Sequence, residues 1–207
     1  MPTITSIKPQ KNQKRLNIYL DGEFGFGLDL ENFVKLGLKV EQKLTDLEVK
    51  EIVQKAEFQK VYDKILRFAS IRPRSEKEFH SWLNKHRVHK SFQEDLFNRL
   101  KRLDFLNDKK FAIWWIDQRT QFRPKSKRIL SQELKIKGVD REIIDEVLQE
   151  AHVDEFTAAK RILEKKKYMW ERLKGFEKRV KISNFLSRKG YSWETIRKVV
   201  GEFDQGL

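Results

Sequence analysis

The sequence predicts a mainly α protein, a tandem array of three three-helix repeats behind a small N-terminal β-hairpin module. Three observations predict it. The phrase Arg72-Pro73-Arg74-Ser75 returns fifty-one residues later as Arg123-Pro124-Lys125-Ser126. Behind it Phe79 and Leu83 match Leu130 and Leu134, and Phe92, Leu96, Phe97 and Leu100 match Ile143, Val147, Leu148 and Ala151. Fifty-two residues further on, Ile182, Leu186, Lys189-Gly190, Val199, Val200 and Phe203 match Leu130, Leu134, Lys137-Gly138, Val147, Leu148 and Ala151. Matching apolar registers joined to matching turns indicate one helical unit used three times. Upstream of all this, Asp21-Gly22 separates two alternating apolar runs, a strong short-range hairpin signal.

In chain order, Ile4 to Ile7 reads as a short strand. Residues 15–20 and 23–28 read as the hairpin, with Leu16, Ile18 and Leu20 expected on one face with Phe24, Phe26 and Leu28. That face has to cover something, because two or three strands alone are marginal in water. The glycines at 22, 25 and 27 do not form G-x-G-x-x-G, so turn and strand packing accounts for them. Asp29 to Leu36 reads as a short helix stopped by Gly37. Thr45 and Glu48 form a capping box that opens a long helix to about Ala69, with an apolar stripe of Leu47, Ile52, Phe58, Val61, Ile65 and Phe68.

Ser75 is placed to cap the next helix, with Glu78 three residues on completing a second capping box. Pro73 prevents helix continuation from upstream. Arg74 and Lys77 then lie at a helix N-terminus, where orphan N–H groups and the positive dipole end disfavour cations unless an anion or carboxylate meets them. In the second repeat, Asn107 or Asp108 caps a helix carrying Phe111, Ala112, Trp115 and Ile116. A second helix runs from Ser126 to Gly138, and a third is capped by Asp140. The third repeat begins near Asp154, is lengthened by the charged run before Ile182, and has Ser192 as cap of its last helix. The expected divisions are 1–44, 45–106, 107–152 and 153–207, packed as a short curved helical array.

The charge is uneven. Net charge is +14 over 207 residues, yet residues 1–56 hold 9 Lys/Arg against 8 Asp/Glu, and residues 57–207 hold 36 against 23. A polyanion or acidic surface, if the chain meets one, is met by the repeats. There is no cysteine, no apolar N-terminal region and no stretch of membrane-spanning length. A soluble cytoplasmic protein is expected. No P-loop, H-E-x-x-H or G-x-S-x-G pattern is present, so neither an enzyme nor a cofactor is expected. His86 and His89 share a helix face but lie among cations without a carboxylate, and His80 and His152 are isolated, so no metal site is expected.

The basic residues carry the functional expectation. Repeat one supplies Arg72, Arg74 and Lys77 with Lys85, Arg87 and Lys90; repeat two supplies Arg119, Arg123, Lys125, Lys127, Arg128, Lys135 and Lys137; repeat three supplies Arg188, Lys189, Arg197 and Lys198. A single charged helix is ordinarily a solvated face, but recurrence at equivalent places would line cations along stacked repeats as a binding face. Trp82, Trp114, Trp115, Trp170 and Trp193 fall at helical spacing beside apolar residues and are expected in core and inter-repeat packing, not as base-stacking platforms.

Four segments carry a resemblance. They are Arg74-Ser75-Glu76-Lys77-Glu78, residues 100–112, Leu134-Lys135-Ile136-Lys137-Gly138-Val139-Asp140, and Phe185-Leu186-Ser187-Arg188-Lys189-Gly190-Tyr191-Ser192. In this order, over nearly the whole chain, they resemble the RecX family, small basic regulators of the RecA recombinase in recombination, DNA repair and the SOS response. The hairpin Asn17-Ile18-Tyr19-Leu20-Asp21-Gly22-Glu23 resembles the extra N-terminal module of longer Gram-positive members. The chain departs at Asp104, where the family usually has glycine before the aromatic, and at Asn107, where Asp is common.

The resemblance implies three tandem three-helix units, helix-turn-helix-like, forming a crescent that lies in the groove of the RecA–DNA filament and bridges neighbouring protomers; the chain itself is expected to be a monomer. It also implies reduced ATP hydrolysis and strand exchange. On the residues alone, a sequence-tolerant nucleic-acid binding module, taking single- or double-stranded DNA with strong salt dependence, is the other reading.

Overall fold

The computed structural model describes residues 1–11, 13–151 and 153–205, with side chains to residue 202; His152 and the Phe203 side chain lie outside the described residues. The chain forms two compact units, Met1–Ile71 with Val88–Leu96, and Arg72–Arg87 with Phe97–Leu207.

The first unit opens with an antiparallel sheet in the order β1 (Ile4–Pro9), β2 (Arg15–Leu20), β3 (Glu23–Asp29). Asp21 and Gly22 both have positive φ, 49° and 91°, as a two-residue hairpin turn requires. Leu16 pairs with Leu28 and Ile18 with Phe26, and all four are buried. The register then shifts, so that Tyr19 pairs with Phe24. That irregularity corrects the expectation of a single six-residue face. Phe24 turns out to be 60% exposed, with its ring edge-on to Tyr19. Gly25 sits in the shifted segment because a Cβ there would stand 2.8 Å from the Leu20 side chain.

The buried face covers the first half of the long helix α2 (Asp46–Ser70), through Ile52 and Ala56. Thr45 and Glu48 make the complete capping box at its start, with Thr45 N–H donating to Glu48 at 2.7 Å. Leu47, expected in the buried stripe, is instead 67% exposed in the first turn, and Ala56 and Ala69 take up the inner face. The short helix α1 (Leu30–Leu36) is capped by Asp29 and stopped by Gly37 at φ 58°. Phe33 and Leu36 pack on the same core.

Helices α3 (Glu76–Lys85) and α4 (Lys90–Arg102) follow, with α4 passing from the first unit into the second. The second repeat is α5 (Asp108–Phe122), α6 (Lys127–Ile136) and α7 (Arg141–Glu150). It closes around Phe111, Ala112, Ile116, Leu130, Leu134, Ile144 and Val147. The third repeat is α8 (Glu155–Lys165), a 3₁₀ turn at Lys167–Met169, α9 (Gly175–Arg188) and α10 (Trp193–Gln205). Its core is Ala158, Ala159, Leu163, Trp170, Ile182, Leu186, Ile196 and Val199. The equivalence read from the sequence holds at three pairs, Leu130 and Ile182, Leu134 and Leu186, Val147 and Val199, which are all buried. Further along it loosens, since Val200 is half-buried against a buried Leu148, and Ala151 is exposed where Leu100 is buried. The run between α8 and Ile182 is the 3₁₀ turn and an early start to α9, and Ser192 caps α10 by accepting from Thr195 N–H at 3.1 Å.

Candidate functional site

All eleven candidate binding residues lie in the second unit, which holds 32 Lys/Arg against 19 Asp/Glu, while the first holds 13 against 12. Their geometry is governed by a joint between successive repeats that is built twice. At the first copy, the α3 cap Ser75 is completely buried. Its hydroxyl accepts from Glu78 N–H at 3.2 Å and donates to the Lys137 carbonyl, at the end of α6, at 2.7 Å. At the second copy Ser126, equally buried, accepts from Ile129 N–H at 3.3 Å and donates to the Lys189 carbonyl at the end of α9, at 2.8 Å. One hydroxyl therefore satisfies an orphan helix donor of its own repeat and an orphan helix acceptor of the next.

The turns that meet these serines have to be glycine. Gly138 and Gly190 have φ of 85° and 79°, and a Cβ would stand 2.7 Å from Lys77 Cβ in the first case and 2.8 Å from Ser126 Oγ in the second. A carboxylate completes each joint. Glu76 N–H donates to Asp108 at 2.8 Å, and Lys127 N–H donates to Glu155 at 2.7 Å. The first residue of α5 and of α8 thus supplies the negative charge that the N-termini of α3 and α6 call for. Burial pushes the Asp108 carboxyl up, the backbone bond to Glu76 opposes this, and the charges of Glu76 and Asp140 reinforce it.

Glu78 does not reach back to complete a capping box with Ser75. It takes Arg72 through two bonds at 2.9 and 3.0 Å and Lys137 at 2.8 Å. Charge-assisted bonds from two cations outcompete the return to one neutral backbone donor. Burial pushes the Glu78 carboxyl up, but the hydrogen bonds from Arg72 and Lys137 outweigh it and hold the group below its ordinary value. Glu133 repeats the device within the second repeat. It accepts from Lys125, from Arg119 at 2.7 Å and from the Trp115 indole N–H at 2.9 Å. Its carboxyl, pushed up by burial, is held low by the bonds from Lys125, Arg119 and Trp115. Arg72 lies over Trp114, and Arg119 and Lys137 both lie over Trp115.

The candidates therefore separate into two groups. Arg72, Lys125 and Lys137 are half-buried and ion-paired, and Lys77 donates to the Ile136 carbonyl at 3.0 Å. Arg74 is half-buried, and burial together with the Arg72 charge lowers its pKa. Arg123, Lys127, Arg128, Lys135 and Arg188 are exposed and have no acidic side-chain partner among the described residues. Lys189 is exposed, with its amine 5.8 Å from the Phe185 ring. Arg128 and Lys135 are seven residues apart on α6, two helical turns, and so share one face.

Of the tryptophans, Trp170 is buried and Trp114 and Trp115 pack on the second repeat's core, as expected. Trp193 departs from the expectation at 65% exposure. Glu133 and Glu155 went unread in the sequence, while Glu78 was read as half of a capping box and Asp108 as a possible cap of its own helix. The ion pairs of Glu78 and the bond that Asp108 accepts from α3 were missed. The signal for the joint was present in the paired spacing of Ser75 with Lys137-Gly138 and of Ser126 with Lys189-Gly190. No group of three or more His, Asp and Glu side chains among the described residues is placed to hold a metal ion. No described helix is long and apolar enough to cross a membrane.

Known proteins share this fold. Residues 2–45 match the family described as the regulatory protein RecX N-terminal domain, residues 107–148 the RecX second three-helix domain, and residues 153–200 the RecX third three-helix domain. The regulatory protein RecX of Bacillus licheniformis is 34% identical over 206 residues, covering 99% of this chain and 78% of the relative. The chain belongs to the RecX family of regulatory proteins. The RecX protein of Bacillus subtilis is 32% identical over the same coverage. A crystal structure of a regulatory protein RecX superposes with a TM-score of 0.71 at 22% identity, over 96% of this chain and 98% of that one. The crystal structure of RecX from Lactobacillus salivarius gives 0.63 at 25% identity, over 72% and 97%. The RecX fold is thus a set of three-helix repeats, here preceded by the hairpin module.

Proposed function

We propose that this chain binds the RecA–DNA nucleoprotein filament through the exposed cations of its repeats and lowers recombinase ATP hydrolysis and strand exchange. The observation that carries the reading is the group Arg123, Lys127, Arg128, Lys135 and Arg188, exposed and without acidic partners on repeats pinned by the twice-built joint. Free cations on a surface of strong positive charge attract phosphate and acidic protein alike. Repeats held in register let several weak contacts add through effective concentration, where their spacing matches a helical partner. Arg72, Arg74, Lys77, Lys125 and Lys137 then act as positioning residues that hold the repeats, while Lys189 joins the contacting set. The functional units in this reading are 1–44, 45–106, 107–152 and 153–207, acting as a cytoplasmic monomer without catalysis or cofactor.

The test replaces Arg123, Lys127, Arg128 and Lys135 together by Ala and measures DNA-dependent ATP turnover by RecA. Inhibition should weaken by tenfold or more while helix content is unchanged; full inhibition by this variant removes the reading. The same variant decides the other reading, a sequence-tolerant nucleic-acid binding module. On bare DNA, loss of four phosphate contacts reduces the slope of log affinity against log salt by about 3 to 4. If affinity and slope on bare DNA equal those on the filament, the filament contributes nothing and the second reading stands.

A further inference from the structure

The groove between α9 and α10 differs from its counterpart in the second repeat in a way that neither packing nor the filament reading uses. It has a volume of about 700 Å³. Its rim carries Phe176, 81% exposed, Val180, 39% exposed, and Trp193. At the equivalent positions, fifty-two residues earlier, the second repeat has Pro124, Arg128 and Arg141. Arg197 stands where the second repeat has Asp145, so the one acidic side chain at these positions is replaced by a basic one. With Arg179 also lining it, the groove has two cations and no acidic residue among its described lining.

Gly201, exposed and inside α10, also lines the groove, and a Cβ added there would meet nothing within 4 Å. Glycine is unfavourable inside a helix beside alanine, and here no close neighbour within the unit requires it. It leaves that part of the lining without a side chain. An apolar strip between two helices, with a glycine in its lining, an exposed tryptophan on its rim and arginines beside it, has the form of a helix-in-groove receptor.

We infer that the α9–α10 groove docks an acidic amphipathic helix of another protein, its apolar face on Phe176, Val180 and Trp193 and its carboxylates on Arg179 and Arg197. Charge selects this occupant. A second copy of this chain would bring a unit of 32 Lys/Arg against 19 Asp/Glu to a groove that is already basic. The inference goes beyond the filament reading and does not rest on it, since Arg128 and Lys135 lie outside the groove lining.

The experiment titrates the full chain into a fluorescein-labelled synthetic peptide of about 15 residues, four helical turns, with Leu and Phe on one face and Glu on the other. A scrambled peptide of the same composition and a peptide with Lys in place of Glu serve as controls. The acidic amphipathic peptide should bind saturably, and both controls should bind at least about tenfold more weakly, a difference of about 1.4 kcal/mol. Trp193→Arg and Val180→Arg, which install the charge type of the second repeat at exposed sites, should each weaken binding by about tenfold or more at unchanged thermal midpoint. Arg128→Ala with Lys135→Ala should leave peptide binding intact. Equal binding of the scrambled peptide, or unchanged affinity in both arginine variants, overturns the inference. So does a dimer, seen by sedimentation, that Trp193→Arg dissociates and the peptide does not displace.

Discussion

Arg87, Gly138 and Gly190 occupy one position in the three repeats, and their φ values are 51°, 85° and 79°. The backbone geometry is conserved through the array although the side chain is not. Gly138 and Gly190 are required twice over, by left-handed backbone and by the close approach of Lys77 and Ser126. Arg87 is exposed and keeps only the first requirement, so the first repeat carries an arginine at a small conformational cost. Left-handed backbone costs an L-residue about 1–2 kcal/mol, and added unfolded-chain freedom takes back about half a kcal/mol or more. Arg87→Gly should therefore stabilise the protein by about 0.5 kcal/mol or slightly more in urea unfolding. Gly138→Ala should destabilise it by about 2 kcal/mol or more, because its Cβ meets another Cβ at 2.7 Å and no rotamer change relieves that. Equal responses at the two positions would show that the close approach to Lys77 costs nothing.

At the scale of elements, the serine-capped helix starts decide how repeats adjoin. An ordinary N-cap lost to Ala costs about 1 kcal/mol, and a buried carbonyl left without its donor costs about 1–3 kcal/mol more. Ser126→Ala should thus cost about 2–4 kcal/mol, measured by chemical unfolding followed through tryptophan emission, and Ser75→Ala a similar amount. A loss no larger than that of a plain cap would mean that the bond to Lys189 adds nothing. Much of this level was legible beforehand. The caps Thr45, Ser75, Asn107 and Ser192, the helix starts at Ser126 and near Asp154, the Gly37 stop and the Asp21-Gly22 turn are local events written in adjacent residues. Asp140, also expected as a cap, makes no side-chain capping bond to its helix. What was not legible depends on partners far away in sequence. A register shift moves Phe24 off the core face because Gly25 approaches Leu20. Glu78, three residues from a serine cap as a capping box requires, is drawn off by Arg72 and by Lys137, fifty-nine residues distant. For the same reason the sequence marked eleven cations as one binding group, while charge type alone could not separate those consumed by Glu78 and Glu133 from those left exposed.

At the scale of the whole molecule, charge and its compensation are unequally placed. The second unit holds nearly all of the positive excess, and also all five tryptophans, so tryptophan emission reports on it alone. Its packing against that excess relies on Glu78 and Glu133, whose carboxyls are held low by the cations they bind once burial has been overcome. A depressed carboxyl binds fewer protons folded than unfolded. The stability it contributes is complete above the unfolded value of about 4.3 and is lost as pH falls through the lower folded value. Asp108, pushed up by burial, runs the other way and takes stability away as pH rises through the carboxylate range. The two depressed groups outnumber it, and protonation of the remaining acids leaves the cations of the unit to repel one another. Acid should therefore unfold the second unit, with the transition moving to lower pH when salt screens that repulsion. Glu78→Gln isolates the paired carboxylate from the general charge. At pH 7 it removes one partner of a largely buried pair and should cost about 2 kcal/mol, discounted from the fully buried case for the water that still reaches it. As pH falls through the lowered folded value the wild-type side chain itself becomes neutral, and the two proteins should converge in stability. A gap that stays constant from pH 7 down through the acid transition would mean that Glu78 works by shape and hydrogen bonding alone, and that Arg72 and Lys137 are held without its charge.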